Sequence, residues 1–124
     1  MWIKANPNPA GKEVPDCVIR AICIALNMPW IQVFDELYSV ARMDFNMPSA
    51  DTVWGHYLYL KGFEPFLLPD ECSKCITIEE FTRRFPQGIY IIGTGAHAVA
   101  IVHGNYFDSW DSGSEVCSFF WRIK

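Results

Sequence analysis

The chain has 124 residues, of which 51% are apolar and 15% aromatic, and its formal net charge is −4. Such a length and composition exclude a disordered chain and predict one folded domain, residues 1–124, with a largely aromatic core. The acidic balance, without any basic run, argues against a nucleic-acid partner. The sequence shows no apolar leader and no membrane-length apolar stretch, and its cysteine count, five, is odd. We therefore expect free thiols in a soluble cytoplasmic protein with no membrane partner and no cofactor.

The first half of the sequence predicts three helices. They follow residues 1–15, which are rich in Asn, Pro and Gly and favour an extended loop with turns. The first helix begins at residue 15 or 16, where Asp16 is a good N-cap, and ends near Asn27, which suits a left-handed stop. It is apolar on nearly every side, which is typical of a helix in the middle of a fold. Helical spacing of apolar residues predicts the second helix over 30–42, and the third runs over 49–61 from a Ser cap to a Gly stop.

The second half of the sequence predicts one more helix and several strands. Thr77-Ile-Glu-Glu80 is a capping box, which indicates a helix that begins at this point and ends before Pro86. The predicted strands cover residues 63–68, 88–92, 96–102, 105–110 and 116–123. Because the helices come mainly before the strands, we predict an α+β fold with a C-terminal antiparallel sheet.

Cys17 is the candidate nucleophile. It lies in the first turn of the predicted first helix, where the positive end of the helix dipole favours a thiolate. A free cysteine in a buried helix is also often a small core residue, as we expect for Cys23 and Cys117. His97 opens a predicted strand directly after a glycine-rich loop, which is a suitable position for a base that faces a cleft.

The predicted hairpin supplies an acidic partner for His97. With residues 103 and 104 as the two turn residues, His97, Asp108 and Trp110 share one face of the sheet, and Asp108 lies diagonally next to the histidine. A carboxylate at that position orients the ring and stabilises the imidazolium ion. A shift of one residue in the turn sets Asp111 opposite His97 instead, so Asp111 is the reserve candidate.

These segments resemble those of the papain-like cysteine peptidases. Cys17 at the start of a central helix, then His97-Ala-Val, then Asp108-Ser-Trp110 follow the family's order, with Asp in place of the family's usual Asn. The resemblance implies a papain-like fold with an N-terminal central helix that carries the Cys, further helices, and a sheet that carries the His and the Asp. It also implies a thiol hydrolase that cleaves a peptide, isopeptide or other amide bond of a peptide or protein substrate.

Three further residues are candidates for the same cleft. Papain-like enzymes place a Gln before the Cys as a donor to the oxyanion, and Gly11 stands at that offset here. Asn8 or Asn6 could donate instead, although Asn-Pro most often shapes turns. Trp110 is expected to line the cleft. Arg20, one turn after Cys17, either lines the cleft or pairs with Asp16.

Other functions remain open from the sequence. The segment over residues 97–111 also resembles the His and Asp segments of transglutaminase-like acyltransferases, and Asp16-Cys17 resembles the Asp-Cys of bacterial cell-wall amidopeptidases. The compact chain is similar to uncharacterised phage or bacterial proteins. It is therefore either an enzyme or a non-catalytic binding module, for instance a phage protein that binds a host factor.

Cys72 and Cys75 have the spacing of a zinc-binding pair. A structural zinc ion needs four ligands, and the sequence has no second pair. Cys117 with His56 or His103 would have to complete the set, and no spacing indicates that they do. We therefore predict no metal site.

Overall fold

The structure is a computed structural model that describes residues 1–69 and 74–123. These residues form four helices and six strands, which confirms the α+β class. In chain order the elements are β1 (Trp2–Lys4), α1 (Cys17–Leu26), α2 (Trp30–Asp44), α3 (Asp51–Leu60), β2 (Glu64–Leu67), α4 (Ile78–Arg84), β3 (Ile89–Gly93), β4 (Ala98–Val102), β5 (Asn105–Asp108) and β6 (Phe119–Arg122).

The six strands form one mixed sheet in the order β1-β5-β4-β3-β6-β2. All neighbouring pairs are antiparallel except β1 and β5, which are parallel. The prediction of a purely antiparallel sheet is therefore wrong, as is the prediction that residues 1–15 are all loop. The backbone of β1 forms its hydrogen bonds with β5, which lies about a hundred residues later in the sequence. Trp2, for example, pairs with Tyr106. No local pattern indicates such a distant partner.

Local signals predicted several element ends well. Asn27 adopts the left-handed conformation, with φ of 53°, and ends α1. The Thr77 side chain accepts a hydrogen bond from the Glu80 N–H at 3.2 Å, so Thr77 caps α4 as predicted. The third helix begins at Asp51, with Ala50 in place of the predicted Ser49 at its N-cap position.

Two layers of helix cover the two faces of the sheet. One core cluster joins α1, α2 and α3 to one face, and a second lies between α4 and the opposite face. Because α1 packs between the sheet and α2, it is buried on nearly all sides, as its apolar sequence predicted. No single described helix has both the length and the apolar character needed to cross a membrane. The pair α1 and α2, bent by 116°, meets those criteria only when taken together.

The β4–β5 hairpin has the predicted register. Its turn residues are His103 and Gly104, both with positive φ, as a two-residue hairpin turn requires, and Val102 pairs with Asn105. β4 begins at Ala98 and β5 ends at Asp108, so both ends lie at the side of the hairpin opposite the turn. α1 packs on this hairpin. This arrangement brings three distant parts of the sequence to one place.

Candidate active site

The structure places Cys17 against His97. Cys17 is the first residue of α1, and its half-buried thiol lies near the His97 side chain and the backbone of Ala98, both of which lower its pKa. His97 directly precedes β4, so the sheet holds both contacting groups. The candidate nucleophile and the candidate base therefore meet where the start of the buried helix reaches the end of the hairpin.

His97 is held by Asp108 and by Trp110. Its Nε2 atom lies 2.5 Å from Oδ2 of Asp108, which leaves Nδ1 as the ring nitrogen that can face Cys17. The indole of Trp110 packs against the imidazole with ring centroids 5.1 Å apart, while 46% of the Trp110 surface stays exposed. Trp110 thus lies at the rim of the site, beside the base.

The hairpin brings the histidine and the carboxylate together in the predicted register, with Ala100 opposite Phe107. Ala98 belongs to the core on the α1 side and Val99 to the core on the α4 side, so the side chains of β4 alternate regularly. Before β4, the Thr94 N–H bonds to the His97 carbonyl and continues the pairing of Gly93 with Ala98. His97 and Asp108 therefore meet at the end of the hairpin that lies opposite its turn.

Asp108 is surrounded by donors. Ser112 Oγ donates to its Oδ2 at 2.6 Å, the Ser109 N–H donates to its Oδ1 at 2.8 Å, and Arg20 contacts Oδ1 at 3.3 Å. Ser112 is completely buried. No sequence pattern indicates a role for Ser112, because only the path of the loop after β5 turns its hydroxyl back towards Asp108. These bonds fix the carboxylate that orients His97.

Arg20 lies inside the protein and is not on the wall of the cleft. It is 7% exposed and joins two buried carboxylates, at 2.5 Å from Asp16 Oδ1 and 3.3 Å from Asp108 Oδ1. The alternative prediction, that it pairs with Asp16, is confirmed. Asp16 also accepts the Trp30 indole N–H at 2.9 Å, so it occupies the N-cap position of α1 without a side-chain cap to the helix.

The reserve candidate Asp111 does not take part in this cluster. Its carboxylate accepts hydrogen bonds from the Tyr106 hydroxyl and the Gly113 N–H. The shifted hairpin register that would bring Asp111 to His97 is not the one found. The register thus decides between the two acids in favour of Asp108.

The predicted oxyanion donors Asn6 and Asn8 shape turns instead. The Asn6 amide donates to the Lys12 carbonyl, and its oxygen accepts the Asn8 N–H. The Asn8 oxygen accepts the Ala10 N–H. Short bonds of this kind are the usual role of Asn beside Pro, and they favour a turn-forming role for both residues.

The surroundings of Cys17 favour its thiolate. Burial raises the pKa of the thiol, but the hydrogen bonds from His97 and the Ala98 N–H, with the charges of His97 and Arg20, outweigh burial and leave the pKa below its ordinary value. Arg20 also neutralises Asp16, the carboxylate next to Cys17 in the sequence. The thiol at the start of α1 is therefore poised to ionise.

The surroundings of His97 favour its imidazolium. Burial lowers the pKa of the ring, but the bonds to Asp108 and Cys17 and their negative charges raise it to about 9. Burial likewise raises the pKa of Asp108, and the bonds from His97 and Ser112 bring it below the ordinary value. The cluster thus favours a thiolate on Cys17 beside an imidazolium on His97 and a carboxylate on Asp108.

Two other cysteines have pKa values above that of an ordinary thiol, in contrast to Cys17. Burial and the charge of Asp16 raise the pKa of Cys23 to about 11, and burial with the charge of Glu80 raises that of Cys117 to about 12. Both side chains belong to the core, as predicted. They provide internal references for the reactivity of Cys17.

A cavity of about 310 Å³ opens beside Cys17. It lies between the segment that leads into α1, the exposed side of α2 and the loop before α3. Most of its lining is apolar or aromatic, and Cys17 forms part of its wall. The candidate nucleophile therefore faces a space that a ligand can enter.

The pair Cys72 and Cys75, which has the spacing of zinc ligands, cannot be described in full, because Cys72 lies outside the described residues. Among residues 1–69 and 74–123, no three His, Cys, Asp or Glu side chains cluster in a way that suits a metal ion.

No model of a known protein family matches the chain, and no significantly similar curated protein or solved structure was found. The chemistry of the site itself therefore carries the functional inference.

Replacing Arg20 by Met is expected to destabilise the fold by about 3–5 kcal/mol, because it leaves Asp16 and Asp108 buried without their shared cation. Urea unfolding measures the change in the free energy of unfolding. Arg83→Met is the matched control, because Arg83 forms an exposed pair with Glu79, and we expect a change of about 0.5 kcal/mol or less. Equal losses in the two variants would contradict a structural role for the buried ion network.

Proposed function

We propose that the chain is a thiol hydrolase that cleaves an amide or related acyl bond of a peptide or protein through Cys17, His97 and Asp108. One observation carries the proposal: the Cys17 thiol at the start of α1 contacts a histidine whose far nitrogen is held by a buried carboxylate. A thiolate is a nucleophile, an adjacent imidazolium is an acid, and the carboxylate keeps the ring in position. The order Cys, His, Asp and the position of the Cys on a central helix favour a papain-like hydrolase.

In the acylation step, the Cys17 thiolate attacks the carbonyl carbon of the substrate and forms a C–S bond. The imidazolium of His97 gives the proton on Nδ1 to the leaving nitrogen as the C–N bond breaks. The amine departs, and an acyl group remains on Cys17 as a thioester. Asp108 stays ionised and holds the Nε2–H of the ring throughout.

In the second step, neutral His97 takes a proton from a water molecule, whose oxygen attacks the thioester carbon. The C–S bond breaks, the carboxylic acid leaves, and Cys17 and His97 return to thiolate and imidazolium. An amine in place of water gives acyl transfer by the same route. Hydrolase and transferase thus share the acyl-enzyme and differ in the acceptor.

The charge on the carbonyl oxygen needs a hydrogen-bond donor during both steps. The backbone N–H of Cys17 is at the first position of α1 and has no acceptor within the helix. Asp16 does not cap it, because its carboxylate is bound to Arg20 and Trp30. We assign this N–H as the oxyanion donor in place of the asparagine side chains.

The proposal is tested by acylation with p-nitrophenyl acetate at pH 7. We expect a burst of p-nitrophenol close to one equivalent, and peptide mapping by mass spectrometry should locate the acetyl group on Cys17. Cys23 and Cys117 are the controls within the same molecule, and their buried, high-pKa thiols should stay unmodified.

The outcomes separate the candidate functions. Acetyl-Cys17 that turns over in water supports a hydrolase, whereas turnover only after addition of an amine supports the transglutaminase-like alternative. A chain whose Cys17 is acetylated no faster than Cys23 and Cys117 is not an acyl-transfer enzyme. That result would favour the non-catalytic binding module.

A further inference from the structure

The cavity beside Cys17 is lined mainly by aromatic and apolar side chains. Trp30, Phe34 and Tyr38 stand one turn apart on α2 and stack in succession, with ring centroids 5.1 and 4.3 Å apart. All three contribute to the wall, together with Leu37 and Met47. Burial of apolar surface is the main contribution that such a wall offers a ligand.

The cavity offers little to a charged group. Asp16 is the only carboxylate among the described residues that line it, and Arg20 and the Trp30 indole already bind both of its oxygens. A cation would therefore meet a neutralised acid, and an anion would meet an apolar wall. Either would lose hydration without gaining a partner. The lining thus favours an uncharged, apolar side chain.

The position of the cavity indicates which side of the substrate it holds. Its described lining residues come from the entry to α1, from α2 and from the loop before α3, and His97 is not among them. The leaving amine must lie at His97 to receive its proton. The acyl part stays bonded to Cys17, which lines the cavity, so its side chain has the cavity within reach.

The cleft also continues beyond this cavity. Tyr38, Met47 and Pro48 line both the cavity and a wider groove that runs along α2 past Arg42 to Phe45. Phe45 is 96% exposed at the far end of this groove. A short chain of further residues can therefore extend from the cavity, which a small isolated acyl group would not need.

We propose that this cavity binds an aromatic or large aliphatic side chain on the acyl side of the bond that is cleaved, so that the substrate is a peptide with such a residue at that position. The inference rests on the proposed function and names its substrate class. The volume of the cavity, about 310 Å³, is at the lower end for ligand pockets and suits one side chain.

The test compares substrates acetyl-X-aminomethylcoumarin, with X as Phe, Leu, Ala or Asp, on the wild-type chain. Burial of a large apolar side chain should make kcat/KM for Phe and Leu about 10- to 100-fold higher than for Ala. Asp should be the poorest substrate. In the variant Phe34→Ala, the ratio of Phe to Ala should fall by about tenfold, whereas Tyr59→Ala, on an exposed position of α3, should keep the ratio.

The result separates this inference from the function on which it rests. A series in which kcat/KM does not depend on X, or is highest for Asp, with acetyl-Cys17 still formed from p-nitrophenyl acetate, overturns the apolar pocket and leaves the thiol hydrolase standing. Absence of acetyl-Cys17 overturns both. The wild-type series decides the question even if Phe34→Ala does not fold.

Discussion

Replacing Cys17 by alanine is expected to reduce acyl transfer by about 10⁴-fold or more while the chain remains folded. Cys17 forms the bond to the acyl group in the proposed mechanism, and removal of one member of a cooperating set costs nearly the whole rate. Cys17 is only partly buried at the start of α1, so loss of its sulfur leaves no large core cavity. Burst kinetics with p-nitrophenyl acetate measure the first effect, and a thermal melt measures the second.

Cys23→Ala is the matched control on the same helix. Cys23 is 4% exposed in the core, six residues after Cys17, so its truncation should lower the melting temperature and preserve the burst. If Cys17→Ala unfolds the chain, or if it keeps the burst that the wild type shows, Cys17 is a core cysteine and the proposed mechanism is wrong.

Replacing His97 by glutamine is expected to reduce acyl transfer by about 10³-fold and to change the pH profile of the reaction. In the wild type, the thiolate forms as pH rises through the lowered pKa of Cys17, and the imidazolium is lost as pH rises through about 9. The rate should therefore follow a bell whose upper limb lies near pH 9. The variant loses the bond and the charge that stabilise the thiolate, so its profile should keep one rising limb near the ordinary thiol pKa, about 8.5.

Alkylation of Cys17 by iodoacetamide from pH 5 to 10 measures the same shift without a substrate. The variant should need a higher pH than the wild type to reach half of its maximal rate. His56→Gln is the control, because His56 pairs with Asp44 at the surface, outside the site, and its profile should match the wild type. A wild-type profile that already follows an ordinary thiol titration would contradict the thiolate–imidazolium pair.

Much of the local structure was predictable because its signals act over a few residues. The left-handed Asn27, the N-cap at Thr77 and the turn at residues 103–104 each depend on bonds within one or two turns of chain. The hairpin turn also decided the register, and with it the choice of Asp108 over Asp111. A two-residue turn leaves the paired strands no freedom to shift.

The sequence by itself determined the three groups of the candidate site: the helix start at Cys17, and the hairpin that relates His97 to Asp108. The tertiary structure alone decided what surrounds them. Arg20 became a buried bridge between two acids, and Ser112 became a partner of Asp108, because side chains on separate elements meet only after the core has closed. The parallel partner of β1 and the apolar cavity along α2 likewise depend on contacts between distant segments, which no periodicity or short motif encodes.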